Sequence, residues 1–414
     1  MKSKFLVTAL SAVALTACNN DEVMEVNWGH GISFQVTTEV STRAAATTTN
    51  SIKEFKVWGF TDAGETLMNG LKATGSNADG WNYGATIFWP STGTVNFYAM
   101  APEECGGTVN VSSDAQTITD FTVNTDVTKQ VDLLYALQTG ESKADHESGA
   151  TPVKLNFRHA LSQIVFKAKN TNEHLSVDIE GVRVAKVVTG GDFTFPALAT
   201  STQLTDDPGT TDTESDNSWG KWTLGTEKGF YTAGITPTTG ITSASGVKDL
   251  SGTDGALLLM PQKIEGWDIS EDNTQTGAGS RGTYFLVSCK IYNVSGDSKL
   301  LVWPAKDEYR EVAIPATDIT WKQGQKYVYT FIFGEGGGYV PPTDPTDPNP
   351  DPEDPETPGP GNPILVPVSF EVTVDDFQQG NDFPLSYDSD IDVDDFLNEE
   401  DDNVDINIED KITK

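Results

Sequence analysis

Two positions near the start of this 414-residue chain combine residue type and spacing in a way that suits covalent processing. Lys2 and Lys4 precede an apolar run from Phe5 to Leu15, which closes on Leu15-Thr16-Ala17-Cys18. A basic start, a short apolar stretch, small residues and then cysteine is the pattern of an export signal with a lipobox. The run is too short to span a bilayer as a permanent helix. The expectation is a signal peptide over residues 1–18, with Cys18 lipidated as the first mature residue; the alternative is an ordinary cleaved signal beside an incidental cysteine. The second position is Arg43 in Ser41-Thr42-Arg43-Ala44, the only arginine before Arg158. An arginine-specific protease would cut between Arg43 and Ala44 and release whatever precedes.

Catalytic chemistry finds little support. Of the four histidines, His30, His146, His159 and His174, none stands in metal-ligand spacing with a neighbour. No Gly-x-Ser-x-Gly elbow, P-loop or His-Glu-x-x-His motif is present, so no enzyme activity, metal or cofactor is expected. His159 reads as a structural residue. Asp388, Asp390, Asp392, Asp394 and Asp395 alternate in a way that could attract Ca²⁺. A calcium loop beginning at Asp388 would need glycine at its sixth position, where Val393 stands, so a solvated acidic tail is the preferred reading. Trp81, Tyr83, Phe88 and Trp89 form an aromatic cluster in a Gly-rich stretch. Anchoring of a loop or core is the default for such rings; the sharper alternative is glycan stacking by Trp81, Tyr83 and Trp89. Cys105 and Cys289 lie far apart in sequence and are read as buried free thiols, with a disulfide as the alternative.

These residues sit in a chain that reads as all-β. Short apolar runs such as 55–60, 95–100, 133–137 and 164–168 are separated by Gly, Asn, Asp, Thr and Ser, as in β-sandwiches. A second series covers 177–188, 255–260, 284–292 and 326–333, and 157–162 is expected to form one short helical turn. Two stretches at opposite ends nearly repeat one another: Ile32-Ser33-Phe34-Gln35-Val36-Thr37 and Val368-Ser369-Phe370-Glu371-Val372-Thr373. Both alternate apolar and polar residues, so each strand has one apolar face. Interchangeable strands suggest one groove that either can fill. Cutting at Arg43 would remove the first copy, with Ile32, Phe34 and Val36, and open the groove to the second copy of another molecule. The inserting strand would carry Val366, Val368, Phe370, Val372 and Val374, with pairing starting near Val368 because Pro367 lacks a backbone donor. A molecule holding Phe370 in its own interior beside an undisturbed Phe34 would count against that exchange.

The expected organisation is a signal peptide (1–18), a propeptide strand (19–43), two sandwiches (44–172 and 173–335), a Pro/Asp-rich linker (336–363), a candidate donor strand (364–377) and an acidic tail (378–414). Repeated Asp-Pro units favour an extended linker spanning about 60–70 Å at roughly 3 Å per residue. The formal charge is −34, and residues 335–414 carry 23 acidic residues against two lysines. That balance excludes a nucleic-acid footprint and would be repelled by anionic membrane surfaces.

Several stretches in this order resemble the fimbrillin-like (Mfa-like) family of surface pilus subunits: the lipobox, Ser-Thr-Arg-Ala, Gln130–Ala136, Phe157–Gln163, Leu259–Gln262, Trp321–Tyr327 and Val374–Phe377. The acidic Asn19-Asn20-Asp21-Glu22 also resembles surface-export signals of some gram-negative lipoproteins. The resemblance covers residues 1–377. It implies two transthyretin-like Greek-key β-sandwich domains, an outer-membrane lipoprotein at the cell surface, removal of the first strand after Arg43, and strand exchange with other pilus subunits into a fimbrium that supports adhesion. Phe377 stands where relatives often carry Trp, and the acidic tail is longer than the pattern. Alternatives from other classes are a non-polymerising surface lipoprotein that binds a glycan or protein receptor, and an uncleaved anchor or tip component.

Overall fold

The computed structural model describes residues 31–38, 52–146, 151–200, 218–252, 255–268, 282–334, 338–342, 347–348, 364 and 369–376. The first part of the chain supplies β1 (Phe34–Thr38), β2 (Glu54–Thr61), β3 (Thr66–Ser76), β4 (Gly80–Asn82), β5 (Val95–Ala101), β6 (Thr108–Val111), β7 (Gln116–Thr122), β8 (Leu134–Glu141) and β9 (Val153–His159). A single helical turn, α1 (Lys143–His146), lies between β8 and β9. Seven of these strands form one sheet in the order β1-β9-β8-β5-β2-β3-β4. Period-two alternation sends Phe55, Val57, Phe97, Ala99, Leu134, Ala136, Leu155 and Phe157 to one core. The opposite face sends Trp58, Phe60, Met100 and Tyr135 to a second, larger core.

The remaining strands are β10 (Ser162–Asn170), β11 (Leu175–Val188), β12 (Gly190–Thr194), β13 (Lys221–Leu224), β14 (Lys228–Thr232), β15 (Thr238–Ile241), β16 (Lys248–Asp249), β17 (Leu257–Leu259) and β18 (Lys263–Ile264). They continue with β19 (Tyr284–Ser295), β20 (Ser298–Trp303), β21 (Arg310–Pro315), β22 (Ile319–Thr320), β23 (Gln325–Phe333) and β24 (Ser369–Asp376). One sheet runs β16-β10-β23-β24 with β17 also on β10, and another runs β14-β11-β19-β20 with β15 and β21 attached. Phe166, Phe285, Tyr329 and Phe331 interlock between them, with ring centroids 4.6–6.2 Å apart. The fold is thus nearly all β, in layered sheets.

Chain order and sheet membership cross near residue 172. β10 lies before that point but pairs in parallel with β23 in the later sheet. β12 and β13 lie after it but complete a four-stranded sheet, β13-β12-β7-β6, with two early strands. The helical turn expected at 157–162 is absent: residues 157–159 end β9 and Ser162 opens β10. Extended pairing satisfies more backbone groups there than one turn would.

The quoted sequence motifs meet where these layers join. His159 Nδ1 lies 2.9 Å from the Asp132 carboxylate, both buried, which fits the structural role expected of His159. Tyr135 donates to Gln323 Oε1 at 3.0 Å, and Gln323 Nε2 donates to the Gly220 carbonyl at 2.6 Å. Leu258 N–H donates to Gln130 Oε1 at 2.8 Å. Buried polar groups must find partners, and these side chains supply them across segments distant in sequence. Cys105 and Cys289 are buried free thiols, and burial pushes the Cys289 thiol well above its ordinary pKa.

Candidate functional site

The site is the seat of β1. Ile32, Phe34 and Val36 are 3 %, 4 % and 0 % exposed, while Gln35 between them faces solvent. Phe34 meets Phe55, Tyr83 and Phe97 edge-on at centroid distances of 6.0, 6.0 and 5.5 Å. Burying three such side chains contributes on the order of 5–9 kcal/mol before ordering costs. Along one edge β1 pairs in parallel with β9, Phe34 opposite Val153 and Val36 opposite Leu155. Val153 N–H donates to the Ser33 carbonyl at 2.8 Å.

The other edge is closed mainly by side chains and a loop. Val36 N–H donates to Asn77 Oδ1 at 2.8 Å, and Asn77 Nδ2 donates to the Val36 carbonyl at 2.5 Å. Trp81 Nε1–H donates to the same Asn77 Oδ1 at 3.1 Å. The Tyr83 hydroxyl donates to the Ile32 carbonyl, and Ile32 N–H donates to the Ile87 carbonyl at 2.8 Å. Burial raises the Tyr83 phenol above its ordinary pKa, so it stays a donor. Asn77 lies in the turn between β3 and β4, the far end of the same sheet, so the sheet curls until its two ends meet across β1. Gly75 makes that turn possible: its φ is 143°, and a Cβ there would sit 2.2 Å from the Gly80 carbonyl oxygen.

The aromatic cluster lines this seat. Trp81 is 9 % exposed and packs on Phe55 at 4.9 Å. Trp89 meets Phe97 at 5.8 Å and stacks on His146 at 4.8 Å, while Phe88 is exposed. Nothing in the sequence marked Asn77, because an asparagine in a turn is ordinary turn chemistry.

The late strand is not free in this molecule. β24 pairs antiparallel with β23, Phe370 opposite Phe331 and Val372 opposite Tyr329, and forms the edge of that sheet. Its described part spans Ser369–Asp376. Val372 is half-buried against the larger core, whereas Phe34 belongs to the other one. β24 is thus docked on its own molecule while Phe34 stays seated, the arrangement named above as counting against exchange, although the two strands lie in separate sheets.

The linker also touches its own body. Tyr339 exchanges both backbone bonds with Ala313, and Ile364 is buried with its N–H on the Gly338 carbonyl at 2.6 Å. Arg183 on β11 donates to Glu311 at 2.7 and 2.6 Å and to Asp347 at 2.6 and 2.9 Å. Burial opposes the guanidinium charge, but the two carboxylates more than offset it and raise the pKa. The extended arm expected from composition is thus pinned at Asp347 and Ile364. Cys18, Arg43, Ala44, Val366, Val368 and the acidic tail lie outside the described residues. Among the described residues no cluster of His, Cys, Asp and Glu could hold a metal ion.

With the β1 seat in view, comparison with known proteins is informative. The profile described as fimbrillin-like matches residues 42–346. The chain belongs to the fimbrillin-like family. The fimbrium subunit Fim1C of Phocaeicola vulgatus is 28 % identical over 193 residues, which is 40 % of this chain and 50 % of that protein. This chain therefore aligns with about half the length of that curated relative. A crystal structure of a fimbrial protein from Bacteroides vulgatus superposes with a TM-score of 0.54 at 16 % identity, covering 84 % of this chain and all of that one. That likeness establishes a shared fold for this fimbrillin-like chain.

Proposed function

We propose that this fimbrillin-like protein is a structural, non-enzymatic subunit of a surface pilus that supports adhesion. In this reading it is exported as an outer-membrane lipoprotein through Cys18, cut between Arg43 and Ala44, and joined to other subunits by strand exchange. The observation that carries the reading is the β1 seat, in which a strand preceding the cleavage site fills an apolar groove. Losing β1 would expose the apolar residues beneath it and the unpaired edge of β9, both unfavourable in water. Until the chain is cut, the tether holds β1 at a high effective concentration and excludes a free competitor. The late strand repeats the β1 pattern, Phe370 matching Phe34 and Val372 matching Val36. Its pairing with β23 means that donation has two requirements: β1 must leave one copy and β24 must lift from another.

The test is digestion of the purified full chain with an arginine-specific protease, followed by unboiled denaturing gels and N-terminal sequencing. The expected result is a product starting at Ala44 and a ladder that collapses on boiling. Arg43→Ala and truncation after Gly361 should each abolish the ladder. A product starting at Ala44 that stays monomeric would refute assembly by exchange.

A second reading is favoured by one observation. The self-docked β24 and the Asp347 pin suit an anchor or tip component that keeps its own late strand. Such a subunit would donate no strand; cut at Arg43 it would accept one, and left uncut, as in the alternative named above, it would keep β1 in the seat and accept none.

A further inference from the structure

We infer that Asn77 and Trp81 together form a strand-polarity reader, which favours in the β1 seat a strand running parallel to β9. The inference rests on the strand-exchange reading for its incoming partner, β24 of a second copy, and deepens it by fixing direction and register.

The argument is one of donor and acceptor geometry. In any strand, a residue's N–H and C=O point to the same edge, with the N–H nearer the N-terminus. Asn77 reads one such pair: its oxygen accepts from Val36 N–H, and its nitrogen donates to the Val36 carbonyl. These two contacts to the seated strand are to its backbone, so any residue at that position satisfies them. A reversed strand exchanges the positions of N–H and C=O, so the carboxamide would have to turn by 180° to match. An unrestrained asparagine can do so, because its oxygen and nitrogen are nearly isosteric.

Trp81 removes that freedom. The indole N–H can only donate, and it donates to Asn77 Oδ1. Turning the carboxamide would place the Asn77 amino group against it, donor facing donor. Trp81 is itself buried against Phe55, so the indole has little room to move aside. Either mismatch forfeits hydrogen bonds at a largely buried edge, which corresponds to a preference of at least about tenfold for the β1 direction.

Register follows. With Phe370 in the place of Phe34, Val372 takes the Asn77 bonds and Glu371 lies opposite Lys154, where Gln35 now lies. A strand seated in reverse about Phe370 would instead bring Ser369 opposite Lys154. Both Gln35 and Lys154 are exposed, so a disulfide there leaves the apolar contacts intact.

The experiment uses full-length acceptor bearing Lys154→Cys, cut at Arg43, and full-length donor bearing Arg43→Ala and Cys18→Ser with either Glu371→Cys or Ser369→Cys. Under mild oxidation the Glu371→Cys donor should cross-link at least about tenfold more than the Ser369→Cys donor. Adding Trp81→Phe to the acceptor should narrow the difference between the two yields, leaving the share set by the Tyr83 hydroxyl and the Ile87 carbonyl at the Ile32 position. Cross-linking of Ser369→Cys in preference to Glu371→Cys, or a preference unchanged by Trp81→Phe, overturns polarity reading while leaving exchange intact. Absence of any cross-link overturns exchange, and with it the claim about an incoming strand. A companion measurement on the uncut chain is independent of assembly: Asn77→Ala should speed hydrogen exchange at Val36 N–H by about tenfold. Unchanged exchange there removes the Asn77 contact from the argument.

Discussion

Phe34 shows how one side chain ties the first strand to the core of its sheet. It touches rings from β2, β5 and the loop after β4, all of which follow the proposed cut at Arg43 in the chain. Phe34→Ala should lower the stability of the uncut protein by about 3–5 kcal/mol, measured by denaturant unfolding. In a polymer whose seats are filled by late strands, the same substitution should leave ladder stability unchanged, because the residue has been removed. Tyr83→Phe tests a smaller term. It keeps the ring beside Phe34 but leaves the buried Ile32 carbonyl without its phenol donor, at about 1–3 kcal/mol in the same assay.

At the scale of elements, β1 and β24 carry matching sequences and opposite circumstances. β1 is a five-residue parallel strand whose outer edge is held by Asn77, Tyr83 and the Ile87 carbonyl. β24 is an eight-residue antiparallel strand with β23 on one side. Its docking depends on where the linker places it, and Arg183 is one of the residues that hold the linker, together with Ala313 and Gly338. Asp347→Asn keeps the Glu311 pair with Arg183 but removes the second carboxylate. We expect faster hydrogen exchange across 369–376 and faster proteolysis within 341–363, with β11 and β21 unchanged. Equal protection of β24 in the variant would mean that β23 alone retains the strand.

For the whole molecule, charge and connectivity set opposite demands. A formal charge of −34 keeps copies apart, and cutting at Arg43 leaves the chain strongly acidic. Association of cut subunits should therefore quicken as salt rises from low ionic strength to about 0.15 M, where the screening length falls to about 8 Å. A ladder that forms more slowly at the higher salt would contradict repulsion as the barrier. Within a copy, Tyr135, Gly220 and Gln323 join three distant segments in one buried hydrogen-bonded junction. Gln323→Leu leaves the Tyr135 and Gly220 groups short of partners, and thermal unfolding should report a loss of about 1–3 kcal/mol.

Alternation at 32–37 and the short apolar runs at 55–60, 95–100 and 177–188 were enough to place strands, but only the alternation at 32–37 also gave the buried face, because β2 and β11 bury residues on both faces. The sequence also determined that 368–373 repeats 32–37. It could not say which strands would be neighbours. The parallel union of β10 with β23, and the return of β12 and β13 to β7, depend on long-range packing that local pattern does not encode. For the same reason Asp347 read as part of an extended arm, and Trp81 as an anchoring ring with no partner to name. Only when the tertiary structure brought Arg183 beside one, and β1 and Asn77 beside the other, did each acquire a partner that hydrogen-bond geometry could specify.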